Sequence, residues 1–163
     1  MLYAWFARPE GIYDSTLNHA AAWFTKGPFC HSEFIFSWDK EQLKTILQRN
    51  KGGLARLQTR FRLMDDTDML HVSVYVIWGE QVKWRILEDF SSFPFYQMPK
   101  KDLIKIPIDK VVEANTFVWC MGQMGAKYDK VGALLSPFGW RKKNLCYDSY
   151  FCSQFMTCAL QRM

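Results

Sequence analysis

The chain has 163 residues, of which 49% are hydrophobic and 17% aromatic, and its formal net charge is +5. This length is typical of a single domain, here taken as 1–163, and the aromatic content excludes an intrinsically disordered chain. Because the longest apolar runs fall far short of the roughly 20 residues that cross a bilayer, no transmembrane segment is expected.

Alternating apolar and polar residues predict strands, and apolar residues three and four positions apart predict helices. In the first half of the chain these patterns predict strands over Leu2–Arg8 and Phe29–Trp38, and helices over Tyr13–Thr25, Asp39–Arg49 and, less regularly, Leu54–Leu63. Side chains two residues apart in a strand share a face, so His31 and Glu33 are expected side by side.

In the second half, the strands His71–Trp78 and Gln81–Leu87 are predicted to form a hairpin through Gly79 and Glu80. Further predicted elements are a strand over Leu103–Ile108, helices over Val111–Ala126 and Val131–Leu135, and a final helix capped near Asp148 or Ser149. Together these elements predict an α+β protein, in which helices from both ends of the chain pack on an antiparallel sheet formed mostly by its middle.

Five cysteines, an odd number, in a chain large enough to bury a hydrophobic core favour a reducing, cytoplasmic-type compartment. No pair of cysteines has the C-x-x-C spacing and only three histidines are present, so neither a metal nor another cofactor is predicted. The oligomeric state is left open.

The basic residues form small, separate clusters at 49–62, 100–101 and 141–143. A nucleic-acid groove would combine such residues with exposed aromatic side chains along one surface. The clusters therefore favour an ordinary solvated surface, and nucleic acid is not the expected partner.

Cys152 falls in the first turn of the final helix, where unpaired N–H groups and the helix dipole favour a thiolate. Of the three histidines, His31 at the start of a strand is the best placed to act as its base, with Glu33 orienting the imidazole. The alternative is that Cys152 is a small core residue, as expected for Cys120 and Cys158, and that His31 is an ordinary polar group.

Three segments carry a resemblance to a known family. The run from Thr25 to Phe36, with Cys30-His31-Ser32-Glu33 at its centre, is similar to a strand motif that contains the catalytic histidine. Tyr150-Phe151-Cys152-Ser153-Gln154 resembles "W-F-C-S-E", and residues 125–132 resemble "G-x-x-Y-D-x-x-G". In this order, histidine before cysteine, they resemble the circularly permuted NlpC/P60 papain-like superfamily, with its YiiX/YebB-like, viral and phage members.

The resemblance implies a papain-like fold in permuted order and a thiol hydrolase or acyltransferase acting on amide, peptide or lipid ester bonds. By motif position, Cys152 would be the nucleophile, His31 the base and Glu33 the third residue, with His71 and Glu88 as alternatives to Glu33. The resemblance also places Tyr128 near the site, and the alternative is that Tyr128 is an ordinary core aromatic. Gln154 and Cys30 depart from the motifs, where a Glu and a Ser are usual.

An alternative function is a catalytically silent papain-like module with a binding or structural role, for example in a virus. The expected compartment then includes a host cell or a virion.

Overall fold

A computed structural model describes residues 1–8, 19, 23, 30–49, 54–76, 80–87, 103–135 and 149–163. Five strands form one antiparallel sheet in the order β4-β3-β2-β1-β5. They are β1 (Leu2–Ala7), β2 (His31–Trp38), β3 (Leu70–Val76), β4 (Val82–Leu87) and β5 (Leu103–Ile106).

Helices occupy the connections and the end of the chain. They are α1 (Lys40–Arg49), α2 (Ala55–Leu63), α3 (Lys110–Gly122), α4 (Lys130–Leu135) and α5 (Cys152–Leu160). Two short strands, β6 (Lys127–Tyr128) and β7 (Ser149–Tyr150), pair in parallel. No helix in the described ranges is long and apolar enough to cross a membrane.

The predicted α+β class and the antiparallel sheet are confirmed, and so is the antiparallel pairing of β3 with β4. The N-terminal strand has a more central place than expected, because β1 pairs with β2 on one side and with β5 on the other. The predicted helix over Tyr13–Thr25 lies outside the described residues, apart from His19 and Trp23. Residues 77–79, which join β3 to β4, also lie outside them.

The prediction that the final helix begins near Asp148 or Ser149 was wrong for Ser149, and Asp148 lies outside the described residues. Ser149 belongs to β7, where it pairs with Lys127. The helix begins at Cys152, after Phe151 in extended conformation, and the Phe151 N–H donates to Oε1 of Gln154 at 3.4 Å. Cys152 is therefore the first helical residue, closer to the positive end of the helix dipole than predicted.

Helix α3 ends at Gly122, four residues earlier than predicted. The N–H of Gln123 turns back to the Cys120 carbonyl, and Gly125 has a φ of 85°, a left-handed conformation that favours glycine. The chain then extends into β6, where the Tyr128 N–H donates to the Glu80 carbonyl at 2.8 Å. This early helix end brings Tyr128 alongside Tyr150, two residues before Cys152.

Side chains on both faces of the sheet are buried. One face carries the main core, in which Phe36 and Trp38 of β2 pack against Phe117 of α3, and Phe155 of α5 belongs to the same core. The other face holds a smaller cluster of Trp5, Ile35 and Leu87. Because α5 packs on β2, the first residue of the helix lies near the first residue of the strand.

Candidate active site

The first residues of β2 and α5 meet. The imidazole of His31 and the thiol of Cys152 are hydrogen-bonded to each other, and the backbone N–H groups of Ser32 and Ser153 also donate to the sulfur. The side chain of His31 is 22% exposed, so solvent reaches this pair although both groups lie mostly inside the protein. The fold thus joins two residues that are 121 positions apart in the sequence.

The surroundings of Cys152 favour its thiolate. Burial alone would raise the pKa of the thiol, because it removes the charged form from water. The hydrogen bond and charge of His31 outweigh burial, and the N–H groups of Ser32 and Ser153 add to their effect, so the pKa lies below its ordinary value of 9.0. A thiol of this kind is a stronger nucleophile at neutral pH than an ordinary cysteine.

His31 shows the complementary change. Burial is the largest influence on its pKa and lowers it, but the interactions with Cys152 and Glu33 together raise the pKa from 6.5 to about 9. Opposite shifts in two hydrogen-bonded groups are expected when the proton moves from sulfur to imidazole. Both shifts favour a thiolate on Cys152 beside an imidazolium on His31.

Glu33 lies behind the imidazole. Its Oε2 is 3.9 Å from Nε2 of His31, and its side chain is fully buried. Ser73 donates to Oε2 at 2.8 Å, and the guanidinium of Arg85 lies 3.2 and 3.3 Å from the two carboxylate oxygens. The structure thus brings together all three residues predicted from the sequence, Cys152, His31 and Glu33.

Of the two alternatives to Glu33 as the third residue, His71 and Glu88, the structure describes only His71. His71 is opposite Ser37 in the β2–β3 pairing, six residues along β2 from His31. At ~3.3 Å per residue this separation is about 20 Å along the strand, too far for contact with the imidazole. Glu88 lies outside the described residues.

Tyr128 lies near the sulfur, as the sequence led us to expect. Its pKa is raised, first by burial and then by the negative charges of Cys152 and Asp129. The adjacent Asp129 caps α4 by accepting the N–H of Gly132 at 2.9 Å, and its own N–H donates to the Tyr150 carbonyl at 2.9 Å. Asp129 therefore ties the segment that carries Tyr128 to the strand that leads into Cys152.

The other described cysteines have different surroundings. Cys120 and Cys158 are buried in the main core, and burial raises the pKa of the Cys120 thiol. Cys30 is partly buried beside the smaller cluster. No disulfide joins any two of the four described cysteines, and the pKa of Cys152 is lowered whereas that of Cys120 is raised.

The sequence did not predict three contacts of the site. Two are those of Ser73 and Arg85 with the carboxylate of Glu33, and the third is that of the Ser32 N–H with the sulfur of Cys152. A partial signal was present in β3, where His71, Ser73 and Tyr75 alternate with valines and so predict a polar stripe on one face. Which strand lies next to that stripe depends on the sheet order, which the sequence does not reveal.

Among the described residues, no group of three or more histidine, cysteine or acidic side chains could hold a metal ion. No family model, curated protein or solved structure matches the chain.

Proposed function

We propose that this protein is a thiol hydrolase or acyltransferase with a permuted papain-like fold, acting on an amide, peptide or lipid ester bond. The observation that carries the proposal is the hydrogen-bonded pair of Cys152 and His31, with a lowered pKa on the sulfur and a raised pKa on the imidazole. Glu33 behind the imidazole supplies the third group of such a site.

The position of each group suggests its role in the reaction. The Cys152 thiolate attacks the carbonyl carbon, forming a C–S bond while the carbonyl electron pair moves to oxygen. As the first residue of α5, Cys152 has an N–H without an intrahelical acceptor, and we assign this group to the developing oxyanion. The hydroxyl of Tyr128 is the neighbouring donor in this assignment.

His31 transfers the proton in both halves of the reaction. With Nε2 directed at Glu33, Nδ1 is the nitrogen assigned to the thiol and to the leaving group. The imidazolium protonates the leaving amine or alcohol as the tetrahedral intermediate collapses to an acyl-enzyme. The neutral imidazole then takes a proton from water or from an acceptor amine or hydroxyl, which attacks the acyl group and releases the thiolate.

The order of the site residues along the chain supports the permuted topology. His31 begins a strand near the N-terminus, and Cys152 begins the last helix, as in the family that the three motifs resemble. The third motif also has a physical basis here: a Cβ at position 132 would lie 2.5 Å from Oδ2 of Asp129, and Gly125 needs its positive φ.

Formation of an acyl-enzyme tests the proposal. The protein is treated with p-nitrophenyl acetate, a small activated ester, and the acetylated residue is located by mass spectrometry. We expect one rapidly added acetyl group on Cys152 in the wild type and in a Cys120→Ala control, and its loss in Cys152→Ala.

Equal labelling of the wild type and Cys152→Ala, or labelling of Cys30 in place of Cys152, would contradict the proposal. That result would instead favour the catalytically silent module.

A further inference from the structure

The carboxylate of Glu33 is removed from water but surrounded by donors. Its side chain has no exposed surface, Ser73 donates to one oxygen, and one nitrogen of Arg85 lies within hydrogen-bond distance of both oxygens. A buried carboxylate is stable as an ion only when cations and hydrogen-bond donors replace the lost water. Ser73 and Arg85 fill this need, and Ser73 donates to Oε2, the carboxylate oxygen that lies 3.9 Å from Nε2 of His31.

The sheet register brings these donors together. Ser73 is paired with Ile35 on one side and with Arg85 on the other, so Ile35, Ser73 and Arg85 form one row across β2, β3 and β4. Glu33 is two residues before Ile35, on the same face of β2. The guanidinium of Arg85 lies 4.6 Å from the centre of the Tyr75 ring, a cation–π distance. Arg85 is therefore held in place from two sides, although its side chain is 34% exposed.

We propose that Arg85 and Ser73 are positioning residues for the Cys152–His31 pair: they hold the carboxylate of Glu33 in place beside His31, and so help to keep Cys152 reactive. The inference rests on the proposed function, because it assigns these residues to the same site. It extends that function by placing the support for the nucleophile on β3 and β4, beyond the three motifs.

The charges explain the direction of the effect. Cys152, His31, Glu33 and Arg85 form a series of alternating sign, negative, positive, negative and positive, with no net charge. Without Arg85 the series carries one excess negative charge, which is relieved by proton uptake at Cys152. Loss of the guanidinium therefore disfavours the thiolate.

Among the described residues, other ionisable groups near this series are Tyr75, which stacks on Arg85, and Tyr128 and Asp129, which lie on the Cys152 side. None of these three residues carries a positive charge that could replace Arg85. Lys83, two residues before Arg85 on β4, is ion-paired with Glu80 at 2.6 Å and serves as a control for loss of a positive charge from the same strand.

The test is the pH dependence of Cys152 alkylation by iodoacetamide, followed by mass spectrometry. Arg85→Met is expected to move the alkylation profile to higher pH and to slow the reaction about tenfold below the wild-type midpoint. Ser73→Ala should move the profile less, in the same direction, and Arg85→Lys should restore part of the loss. Lys83→Met should match the wild type.

A double substitution shows whether Arg85 acts through Glu33. In a Glu33→Gln background, Arg85→Met should change the alkylation profile much less than it does in the wild type. If Arg85→Met does not fold, Ser73→Ala is compared in the same two backgrounds. This substitution removes one uncharged donor to Glu33 and leaves the net charge unchanged.

Two results would overturn the inference, and they differ in what they say about the proposed function. If folded Arg85→Met and Ser73→Ala have the wild-type profile while Cys152 still reacts selectively, the inference is wrong and the proposed function is unaffected. If wild-type Cys152 itself reacts like an ordinary cysteine, both are wrong.

Discussion

The two faces of β2 have very different surroundings, although their residues alternate along one strand. Phe36 and Trp38 point into the main core, where Phe117 lies 5.1 and 4.7 Å from their ring centres. On the other face, Glu33 is equally buried but contacts Ser73, Arg85 and His31. Burial alone therefore does not indicate which residues serve only the fold.

The comparison assigns stability to the aromatic face and chemistry to the His31–Glu33 end of the other face, here called the polar face, where Ile35 also packs in a small apolar cluster with Trp5 and Leu87. The aromatic face is stabilised by removal of apolar surface from water and by edge-to-face ring contacts. The polar face loses hydration and regains it only through hydrogen bonds and ion pairs, an arrangement typical of sites that tune the pKa of a reactive group. Substitutions on the two faces should therefore affect different measurements.

His31→Ala, on the polar face, should have the largest effect. Acyl transfer should fall by about 10⁴-fold, because the thiolate loses both its counter-ion and its proton carrier. Since Glu33 keeps Ser73 and Arg85, the far-ultraviolet circular dichroism spectrum and the urea midpoint should stay close to those of the wild type. Unchanged acetylation kinetics in a folded variant would rule out His31 as the base.

Phe117→Ala, on the aromatic face, should act on stability. Removing a fully buried ring that touches Phe36 and Trp38 should lower the free energy of unfolding by about 3–5 kcal/mol, measured by urea denaturation. Under conditions where the variant is folded, its alkylation profile should be that of the wild type. A changed profile in fully folded protein would show that the two faces are not separable.

Tyr128→Phe tests the oxyanion assignment. Loss of one donor to the oxyanion should reduce kcat by about 10²- to 10³-fold, while alkylation of Cys152, which forms no oxyanion, should change little. A variant with wild-type kcat for acyl transfer would exclude the tyrosine hydroxyl as a donor.

Gly132→Ala should have the smallest effect. The added methyl group would lie 2.5 Å from Asp129 Oδ2, so the carboxylate must move and its cap on α4 weakens, at a cost of about 1 kcal/mol in unfolding free energy. Gly122→Ala is the matched control, because a Cβ there meets no atom within 4 Å. Equal stability of the two variants would contradict this account of the motif.

Much of the fold could be predicted from local patterns. The strand that begins at His31 and the helices α1 and α3 follow from apolar periodicity, which is a property of nearby residues. The short pair β6 and β7 could not be predicted, because two-residue strands have no periodicity of their own. Missing β7 is also why the start of the final helix was placed too early.

The site was predicted unevenly for a related reason. Cys152, His31 and Glu33 lie within motifs, so local sequence could identify them. Ser73 and Arg85 belong to the predicted pair β3 and β4, but the place of this pair beside β2 is set by long-range pairing, and nothing in LHVSVYV specifies β2 as the other neighbour of β3. The third residue stayed open between Glu33, His71 and Glu88 for the same reason, and the β2–β3 register decides against His71.

The central claim is that Cys152 and His31 form an ion pair at neutral pH, and an NMR titration of the His31 imidazole tests it most directly. In the wild type we expect the imidazolium to persist through neutral pH and to lose its proton only as the pH rises through about 9. In Cys152→Ala, which removes the negative partner, the titration midpoint should fall. A His31 midpoint near 6.5 that is the same in the wild type and in Cys152→Ala would contradict the account.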